Sequence, residues 1–427
     1  MNILYINHYA GSPNSLGMEF RPYYFARDWK NKGHNVLILA ATYSHLRSKQ
    51  PTNANGSVFT KITVQNVEGV DYRWYPTPEY KVNGVQRMIN ISSFLLRVFL
   101  DSQNLVKKFK PDIVIASSTY PMDIWVAKHI VNLVKKYNKK NCKLIFEVHD
   151  LWPLSPIELG GMSPKHPFIK LCQSSENFAY RNCDKVVSMA CKAEPYMKEH
   201  GLTAGKFTYI PNGVVENDWK LDKIQLLHQS DLLTKLLGFK RQNKIIIGYA
   251  GAHGKPNALN YLIDAIKLLE ERKYPNFEDL VFVLVGSGLE KENLIKQSKN
   301  LKSIHFFDPI SKLQIPNLLS YFDIAYIGWN ITPIYRFGIS PNKLMDYMMS
   351  GRPILHSVEA GNDPVQESQC GITVPPENIE AIVQGIQILA SLTSKERDEM
   401  GARGKKFILE NQTYEILSNK FIKVMQQ

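Results

Sequence analysis

One segment of the chain, residues 340–353, combines residues that start a helix with groups that bind phosphate. Ser340 is a good helix N-cap and Pro341 suits the first helical position, so a short helix is predicted here. The first turn of a helix presents free amides and a partial positive charge, which suit a phosphate. Asn342 and Lys343 lie in that turn and add donors and a full charge. The spacing therefore predicts a phosphate site.

A carboxylate follows on the same predicted helix. Asp346 lies four residues after Asn342, on the same face and one turn deeper. It could accept hydrogen bonds from sugar hydroxyls. The alternative is a capped surface helix with ordinary polar residues. Function is favoured because cap, cation and carboxylate share one arrangement.

A second polar cluster ends a buried strand in the first half of the chain. In the stretch Phe146–Pro153, His149 and Asp150 are expected at the carboxyl end of the strand, facing a cleft. A histidine satisfied inside the core is the alternative. The His-Asp pair at a strand end favours function.

Two further features are weaker. The turn Gly251-Ala-His-Gly254 follows an apolar run but is not a dinucleotide-binding fingerprint, so a structural strand-to-helix turn is an equal interpretation. Arg21 follows the loop Gly11–Gly17, and it could bind a phosphate or be an exposed helix residue.

The elements that must position these residues follow an α/β rhythm. Short apolar runs separated by helical patterns indicate parallel sheets covered on both faces. Helices are predicted over Met18–Lys32 and Ala258–Glu271. The predicted strands are Ile3–Ile6, Val36–Ala40, Asp112–Ala116, Lys143–Val148, Lys185–Met189, Phe207–Ile210, Ile245–Tyr249, Leu280–Val285, Ile304–Phe307, Ile324–Tyr326 and Ile354–His356.

The alternation of predicted strands and helices is interrupted once and then resumes. Turn chemistry at Ile210-Pro-Asn-Gly213 opens a polar linker over residues 211–244. Two Rossmann-like, doubly wound domains facing across a cleft are the simplest account, with ligands beyond the carboxyl ends of the strands. We expect domains over residues 1–215 and 216–411.

Composition limits the class of protein. The chain has 427 residues, 44% hydrophobic and 21% charged, which fits two globular domains and excludes a disordered or collagen-like protein. Five scattered cysteines without a paired spacing argue against a disulfide framework or a zinc site, so a cytoplasmic protein is expected. No signature of a nucleic-acid-binding module is present.

The net charge of +13 lies almost wholly in the first half. Residues 1–215 hold 27 Lys/Arg and 15 Asp/Glu, whereas residues 216–427 hold 25 and 24. A basic surface attracts acidic substrates or an anionic bilayer. The stretch Val85–Lys110 interleaves apolar residues with cations. A core helix of the first domain explains most of this pattern, and a face lying on an anionic bilayer would explain the cations as well. Its cations are Arg87, Arg97, Lys107, Lys108 and Lys110.

Over nearly its whole length the sequence resembles the retaining GT-B glycosyltransferases of family 4, which use nucleotide sugars. The segment Leu344–Gly351 is similar to the end of the family's Glu-x7-Glu motif, and Phe282–Glu290 is similar to its strand and glycine turn beside the base and ribose. Ile210–Val214 is similar to the end of the family's first domain. The resemblance also implies that the last helix, within residues 412–427, returns to the first domain.

The resemblance implies roles for individual residues. Asp346 matches the acid that holds the ribose, Gly286 and Gly288 match the glycine turn, and His149 matches the histidine beside the reacting face of the donor sugar. The loop containing Gly17, with Glu19 and Arg21, matches the glycine-rich loop that contacts donor and acceptor. The implied catalytic residues are His149, Asp150 and Lys343. The implied donor-binding residues are Gly17, Arg21, Gly251, His253, Gly254, Lys255, Gly286, Gly288, Ser340, Asn342, Lys343 and Asp346.

The sequence also departs from the family pattern. The first acid of the motif falls on Gly338, and the family's Arg/Lys pair falls near Ala252 and Asn257, neither of which carries charge. The charge for the diphosphate must then come from other groups. The candidates are Lys343, Lys255, His253, Arg336 and the amides of the Gly251–Gly254 turn.

These departures resemble a subgroup with Tyr-Ala-Gly-Ala-His-Gly and Ser-Pro-Asn-Lys, namely bacterial O-antigen and capsule transferases of the N-acetyl-L-fucosaminyltransferase kind. The resemblance implies transfer of a sugar, such as an N-acetylated deoxy-hexose, from a UDP-linked donor to a lipid-linked saccharide. It implies no metal, no cofactor beyond the sugar nucleotide and no nucleic acid. Together with the basic half, it predicts a cytoplasmic protein peripheral on the inner face of the membrane.

Two other functions stay open at this point. Sugar-nucleotide epimerases share the GT-B architecture, although they need a cluster of catalytic acids and no lipid acceptor. A non-catalytic nucleotide-sugar binder is also compatible, because the first acid and the Arg/Lys pair are missing.

Overall fold

The computed structural model describes residues 1–17, 19–81, 84–220, 222–227, 231–275 and 277–427. Contacts divide the chain into two compact units. Unit 1 comprises Met1–Pro211 and Leu417–Gln427, and unit 2 comprises Asn212–Ile416. Within the described ranges, no helix has both the length and the apolar character needed to cross a bilayer.

Unit 1 is built on an eight-stranded sheet with the order β3-β4-β2-β1-β5-β6-β7-β8. All neighbours are parallel except β3 and β4, which form an antiparallel hairpin at one edge. The central strands are buried on both faces, as their continuous apolar runs require. The strands are β1 (Asn2–Ile6), β2 (Asn35–Ala41), β3 (Thr63–Val67), β4 (Val70–Tyr75), β5 (Ile113–Ala116), β6 (Lys143–Val148), β7 (Lys185–Ser188) and β8 (Phe207–Tyr209).

Helices cover this sheet, and the last helix of the chain joins them. Its Phe421 ring packs edge-on against Trp29 and Phe25, with ring centroids 5.1 Å and 5.3 Å apart. The helices are α1 (Arg21–Asn31), α2 (Val85–Phe109), α3 (Asp123–Asn138), α4 (Leu154–Glu158), α5 (Pro167–Asn182), α6 (Glu194–Glu199) and α15 (Tyr414–Gln426).

Unit 2 carries a six-stranded, all-parallel sheet with the order β11-β10-β9-β12-β13-β14. Strand order reverses at β9 and β12, which is where α/β sheets bind ligands beyond their carboxyl ends. The strands are β9 (Ile245–Ala250), β10 (Leu280–Val285), β11 (Ile304–Phe307), β12 (Ile324–Gly328), β13 (Ile354–Ser357) and β14 (Gly371–Val374).

The helices of unit 2 lie on both faces of this sheet. They are α7 (Asp231–Arg241), α8 (Leu259–Glu271), α9 (Lys291–Gln297), α10 (Ile315–Ser320), α11 (Asn342–Met349), α12 (Pro364–Ser368), α13 (Ile379–Ser391) and α14 (Ser394–Asn411). Short 3-10 turns at Lys255–Asn257 and Lys312–Gln314 precede α8 and α10.

Every strand expected from an apolar run is present, within two residues at either end. The hairpin β3–β4 was not predicted, because its strands alternate apolar and polar residues around a tight turn at Glu68 and Gly69, both with positive φ. Strand β14 was missed as well. The predicted linker contains α7, and its residues 221 and 228–230 lie outside the described residues, as does Met18, the predicted first residue of α1.

Candidate functional site

The start of α11 lacks a capping side chain. The prediction that Ser340 caps this helix is wrong: the helix begins at Asn342, and Pro341 takes the N-cap position with no side-chain hydrogen bond. Ser340 instead accepts a hydrogen bond at Oγ from the Asn212 amide (2.7 Å), and its carbonyl accepts one from the Asn212 side chain (2.7 Å). The Leu344 amide donates to the Pro341 carbonyl (3.0 Å), whereas the Asn342 and Lys343 amides have no acceptor among the described residues and are left for a ligand.

Lys343 extends from this first turn to the loop that follows β9. Its Nζ donates to the Tyr249 hydroxyl (2.7 Å) and to Asn257 Oδ1 (2.7 Å), and it lies 4.2 Å from the centre of the Tyr249 ring. The Tyr249 hydroxyl in turn donates to the Ala252 carbonyl (2.6 Å). Burial lowers the pKa of Lys343 to about 7. The ammonium is thus held in place at one edge of the sheet and poorly hydrated.

Two glycine turns interlock beside this ammonium. A Cβ on Gly251 would lie 2.8 Å from Lys343 Cε, and a Cβ on Gly286 would lie 1.9 Å from the Gly251 carbonyl oxygen. A Cβ on Gly288 would lie 2.3 Å from the His253 carbonyl oxygen. The turns also share a hydrogen bond from the His253 amide to the Ser287 carbonyl (2.8 Å). Only glycine allows this close approach of backbone to backbone.

The other candidates for phosphate charge are placed less favourably. His253 is fully buried, and burial, followed by the charges of Lys291 and Lys343, lowers its pKa to about 4. Its ring is therefore neutral near pH 7 and cannot supply the charge expected from the sequence. Lys255 is exposed next to Gly254, while exposed Arg336 lies 4.3 Å from the Phe337 ring centre.

Tyr347, which was not among the candidates from the sequence, connects helix α11 to strand β9. The Tyr347 hydroxyl accepts a hydrogen bond from the Ala250 amide (2.7 Å) and donates to the Ala250 carbonyl (3.2 Å). This places the helix start and the Gly251 turn in a fixed relation.

Asp346 lies one turn along the helix from Lys343, and its carboxylate forms an ion pair with Lys312 in the 3-10 turn after β11. The side chains of Asp346 and Lys312 are 12% and 32% exposed. Lys312 was not among the sequence candidates.

In unit 1, His149 at the end of β6 lies between two carboxylates. Its Nδ1 is 3.3 Å from Glu19 Oε1, and its Nε2 is 3.4 Å from Glu147 Oε2 and 2.9 Å from Ser117 Oγ. Burial alone would lower the pKa of His149, but the hydrogen bonds and charges of Glu147 and Glu19 raise it to about 10. The imidazole is therefore a cation near pH 7.

Arg21 is neither exposed nor directed at a ligand, contrary to both sequence interpretations. Its Nε donates to the buried Glu147 carboxylate (2.9 Å), and its Nη atoms donate to the carbonyls of Pro211 (2.6 Å) and Ile210 (2.8 Å). Tyr5 also donates to Glu147. The Arg21 charge and both arms of its guanidinium are engaged within unit 1, so it is removed from the donor-binding set.

The remaining candidates of unit 1 lie near His149 in sequence or in space. Asp150 is exposed directly after it. Gly17 has a φ of +75°, and a Cβ there would lie 2.3 Å from Ser48 Oγ, so the loop that leads to Glu19 requires glycine at this position.

Family models match both units. The model described as "Glycosyltransferase Family 4" matches residues 17–217, and the model described as "Glycosyl transferases group 1" matches residues 244–391. Together these two matches take in most of the chain. The protein belongs to glycosyltransferase family 4. A search of curated proteins found no match to this transferase.

Solved structures show the fold of the transferase, at low sequence identity. Sucrose-phosphate synthase from Thermosynechococcus elongatus has a TM-score of 0.70 and 14% identity, with 100% of this chain and 99% of that chain covered. Anabaena HepE in complex with UDP and glucose has a TM-score of 0.65 and 14% identity over 100% of both chains. WaaG, a glycosyltransferase involved in lipopolysaccharide biosynthesis, has a TM-score of 0.66 and 13% identity over 99% of both chains. The expectation of a GT-B fold with two Rossmann-like sheets is confirmed.

Proposed function

We propose that this transferase moves a sugar from a UDP-linked donor to a lipid-linked saccharide, with retention of configuration, in the biosynthesis of O-antigen or capsule. The donor sugar is an N-acetylated deoxy-hexose, as the subgroup resemblance implies. Structures of HepE contain UDP and UDP-glucose, and WaaG acts in lipopolysaccharide biosynthesis, which supports a UDP donor and a surface polysaccharide.

The observation that carries the proposal is the state of the Lys343 ammonium. An ammonium has three N–H donors, and two of them go to Tyr249 and Asn257. No third partner exists among the residues that the structure describes. The remaining N–H and the uncapped first turn of α11 offer a diphosphate both a hydrogen bond and positive charge.

In the reaction, the bond between the anomeric carbon and the β-phosphate oxygen breaks, and its electron pair stays on UDP. The acceptor hydroxyl forms the new bond to the same face of that carbon and releases its proton to the leaving phosphate. Charge therefore develops on the diphosphate, where Lys343 and the free amides at the start of α11 stabilise it. The Gly251 and His253 amides already donate to the Val285 and Ser287 carbonyls, so the turn after β9 can add only its other amides. Asp346 holds the ribose.

We assign the orientation of the donor sugar to unit 1. His149 is a fixed cation, and its partner Glu19 lies on the loop that Gly17 opens. Asp150, exposed directly after His149, offers a carboxylate to sugar hydroxyls.

The membrane surface is assigned to one face of α2. Five large apolar side chains are exposed there, with Val85 77% and Leu100 71% accessible. Exposed Arg97, Lys107 and Lys108 lie on the same helix. Arg87 is not part of this surface, since its guanidinium lies over the rings of Tyr9 and Trp152, at 5.6 Å and 5.8 Å from their centres. The five apolar residues are Val85, Ile89, Leu96, Phe99 and Leu100.

Vesicle cosedimentation tests this surface. Each Lys or Arg near an anionic bilayer contributes about 1 kcal/mol, so binding should need anionic lipid and fall as salt rises. Changing Lys107, Lys108 and Lys110 to Glu should abolish pelleting. A matched variant with Glu at three exposed lysines of unit 2, namely Lys296, Lys299 and Lys302, should keep it. If the protein pellets equally with neutral and with anionic vesicles, or pellets with neither, binding to an anionic membrane surface is refuted.

A donor screen with lipid-linked acceptors tests the reaction. We expect a UDP-sugar to give a glycolipid product whose anomeric configuration equals that of the donor. Incubation with donor alone should give no epimer, since an epimer would indicate a sugar-nucleotide isomerase. Tight UDP-sugar binding without turnover on any acceptor would indicate a binding protein.

A further inference from the structure

The ion pair between Lys312 and Asp346 has spare hydrogen-bonding capacity on both partners. Among the described residues, the Lys312 ammonium donates to Asp346 alone, and the Asp346 carboxylate uses one oxygen, Oδ2, for this bond. Two N–H donors and one carboxylate oxygen therefore remain without a protein partner. The Lys312 side chain is 32% exposed and the Asp346 side chain 12%, so a ligand can reach the ammonium readily and the carboxylate at its exposed edge.

The pair also lies beside the proposed phosphate site. Lys343 and Asp346 are three residues apart on α11 and share one face of the helix, so their Cβ atoms are about 5–6 Å apart. Lys312 follows the carboxyl end of β11, on the edge of the sheet where the Gly251 and Gly286 turns also lie. A nucleoside diphosphate with its phosphates at Lys343 therefore brings its ribose toward this pair.

We propose that Lys312 is a ribose-binding residue that acts together with Asp346 as a reader of the cis-diol. One hydroxyl donates to the free Asp346 oxygen, and the adjacent hydroxyl oxygen accepts from the Lys312 ammonium. The ion pair thereby presents one acceptor and one donor side by side, which complements two vicinal hydroxyls and does not complement a deoxyribose. This inference rests on the proposed function, because it takes a uridine nucleotide as the ligand.

A second ion pair in unit 2, far from the proposed ribose site, supplies a matched control. Lys240 pairs with Asp323 at 2.7 Å, and their side chains are 35% and 17% exposed, close to the values for Lys312 and Asp346. Asp323 precedes β12, and its Oδ2 accepts from the Ile246 amide near the start of β9, so this pair lies at the opposite end of the strands. The variant Lys240→Met therefore shows how the loss of an ion pair of this kind affects nucleotide affinity when the ribose contact is unchanged.

The experiment is calorimetric binding of UDP, 2′-deoxy-UDP and 3′-deoxy-UDP to the full chain. Wild-type protein should prefer UDP over both deoxy forms. Lys312→Met should weaken UDP binding by about tenfold or more, because a hydrogen bond from a charged donor is lost. It should also bring the UDP-to-deoxy ratio close to one for the deoxy form that lacks the hydroxyl bound by Lys312, while the other ratio persists through Asp346. Lys312→Arg should restore part of the ratio, and Lys240→Met should leave both affinity and ratio unchanged.

Three results would overturn the inference. The first is an unchanged ratio in Lys312→Met, including the case in which all three nucleotides weaken equally, which would assign Lys312 to the phosphates. The second is an equal effect of Lys240→Met. The third is a preference for UDP over both deoxy forms that Asp346→Asn removes and Lys312→Met leaves intact. If wild-type protein binds no UDP at all, the proposed function itself fails, which is a different outcome from these three.

Discussion

Unit 1 and unit 2 each hold a group of charges at the carboxyl edge of a sheet, and the two groups differ in how completely they are paired. In unit 1, Glu147 is fully buried and contacts Arg21, Tyr5, Ser117 and His149. In unit 2, Lys343 is bound by neutral groups with one N–H left over, and the ion pair at Asp346 has spare donors.

This difference in pairing distinguishes charges that stabilise the fold from charges that are available to bind a ligand. A buried carboxylate whose neighbours supply cations and hydroxyls is stable inside a protein without a ligand. An ammonium placed against a hydroxyl and an amide oxygen gains no opposite charge, which is why its pKa falls. Such a cation is stabilised when an anion arrives. We therefore expect loss of the Arg21–Glu147 pair in unit 1 to lower stability, and changes at Lys343 in unit 2 to lower binding and turnover.

The largest effect is expected for Arg21→Met. This change leaves Glu147 buried without its guanidinium, which should cost about 3–5 kcal/mol of stability. Hydrogen exchange of the β6 amides should report the loss, while Arg27→Met on the same helix, where the guanidinium lies over the Tyr23 and Tyr24 rings, should cost far less. Equal protection of β6 in both variants would show that the Arg21 pair is not what stabilises unit 1.

The next effect is a loss of turnover in Lys343→Ala. Removing one charged donor from a developing anion should lower turnover about 10²–10³-fold, with thermal stability unchanged. Lys343→Arg should recover part of the rate. A drop of less than about threefold would place the charge elsewhere, on Lys255 or Arg336.

The pH dependence of donor binding should be smaller but diagnostic. The pKa of Lys343 is about 7 without ligand and should rise when a diphosphate binds. The affinity for a UDP-sugar should therefore be full below about pH 7 and fall by at most tenfold per pH unit above it. A UDP-sugar is used because its diphosphate is esterified at both ends and does not titrate near neutrality. Calorimetry should show a flat profile for Lys343→Met; a flat wild-type profile would contradict the assignment.

A second pH effect concerns His149, in the buried group of charges around Glu147 in unit 1. The pKa of His149 is raised to about 10 in the folded protein, against 6.5 ordinarily. Its contribution to stability is therefore fully present below about pH 6.5 and is lost as pH rises toward 10. The difference in unfolding free energy between wild type and His149→Gln should shrink over that range in urea titrations. A difference that grows with pH would mean that His149 is neutral in the folded state.

Local patterns predicted the fold well and gave candidate site residues without their partners. The apolar runs of the parallel strands were visible, and Lys343 and Asp346 became candidates because helix-start residues precede them. Their partners were not, since Tyr249 is 94 residues from Lys343 and Lys312 is 34 residues from Asp346. Arg21 was misjudged for the same reason, because Glu147 lies 126 residues away. Topology, not spacing, creates these pairs.

The interlocked glycine turns of unit 2 limit how this enzyme can evolve. A side chain at position 286 or 288 would collide with backbone oxygens 1.9 Å or 2.3 Å away, so these positions tolerate almost no mutation. A saturation library selected for a new donor should leave both glycines invariant and accept changes only among side chains outside these two turns. Donor specificity in related enzymes can then change through substitutions of side chains around the site, while the backbone of the two glycine turns stays the same.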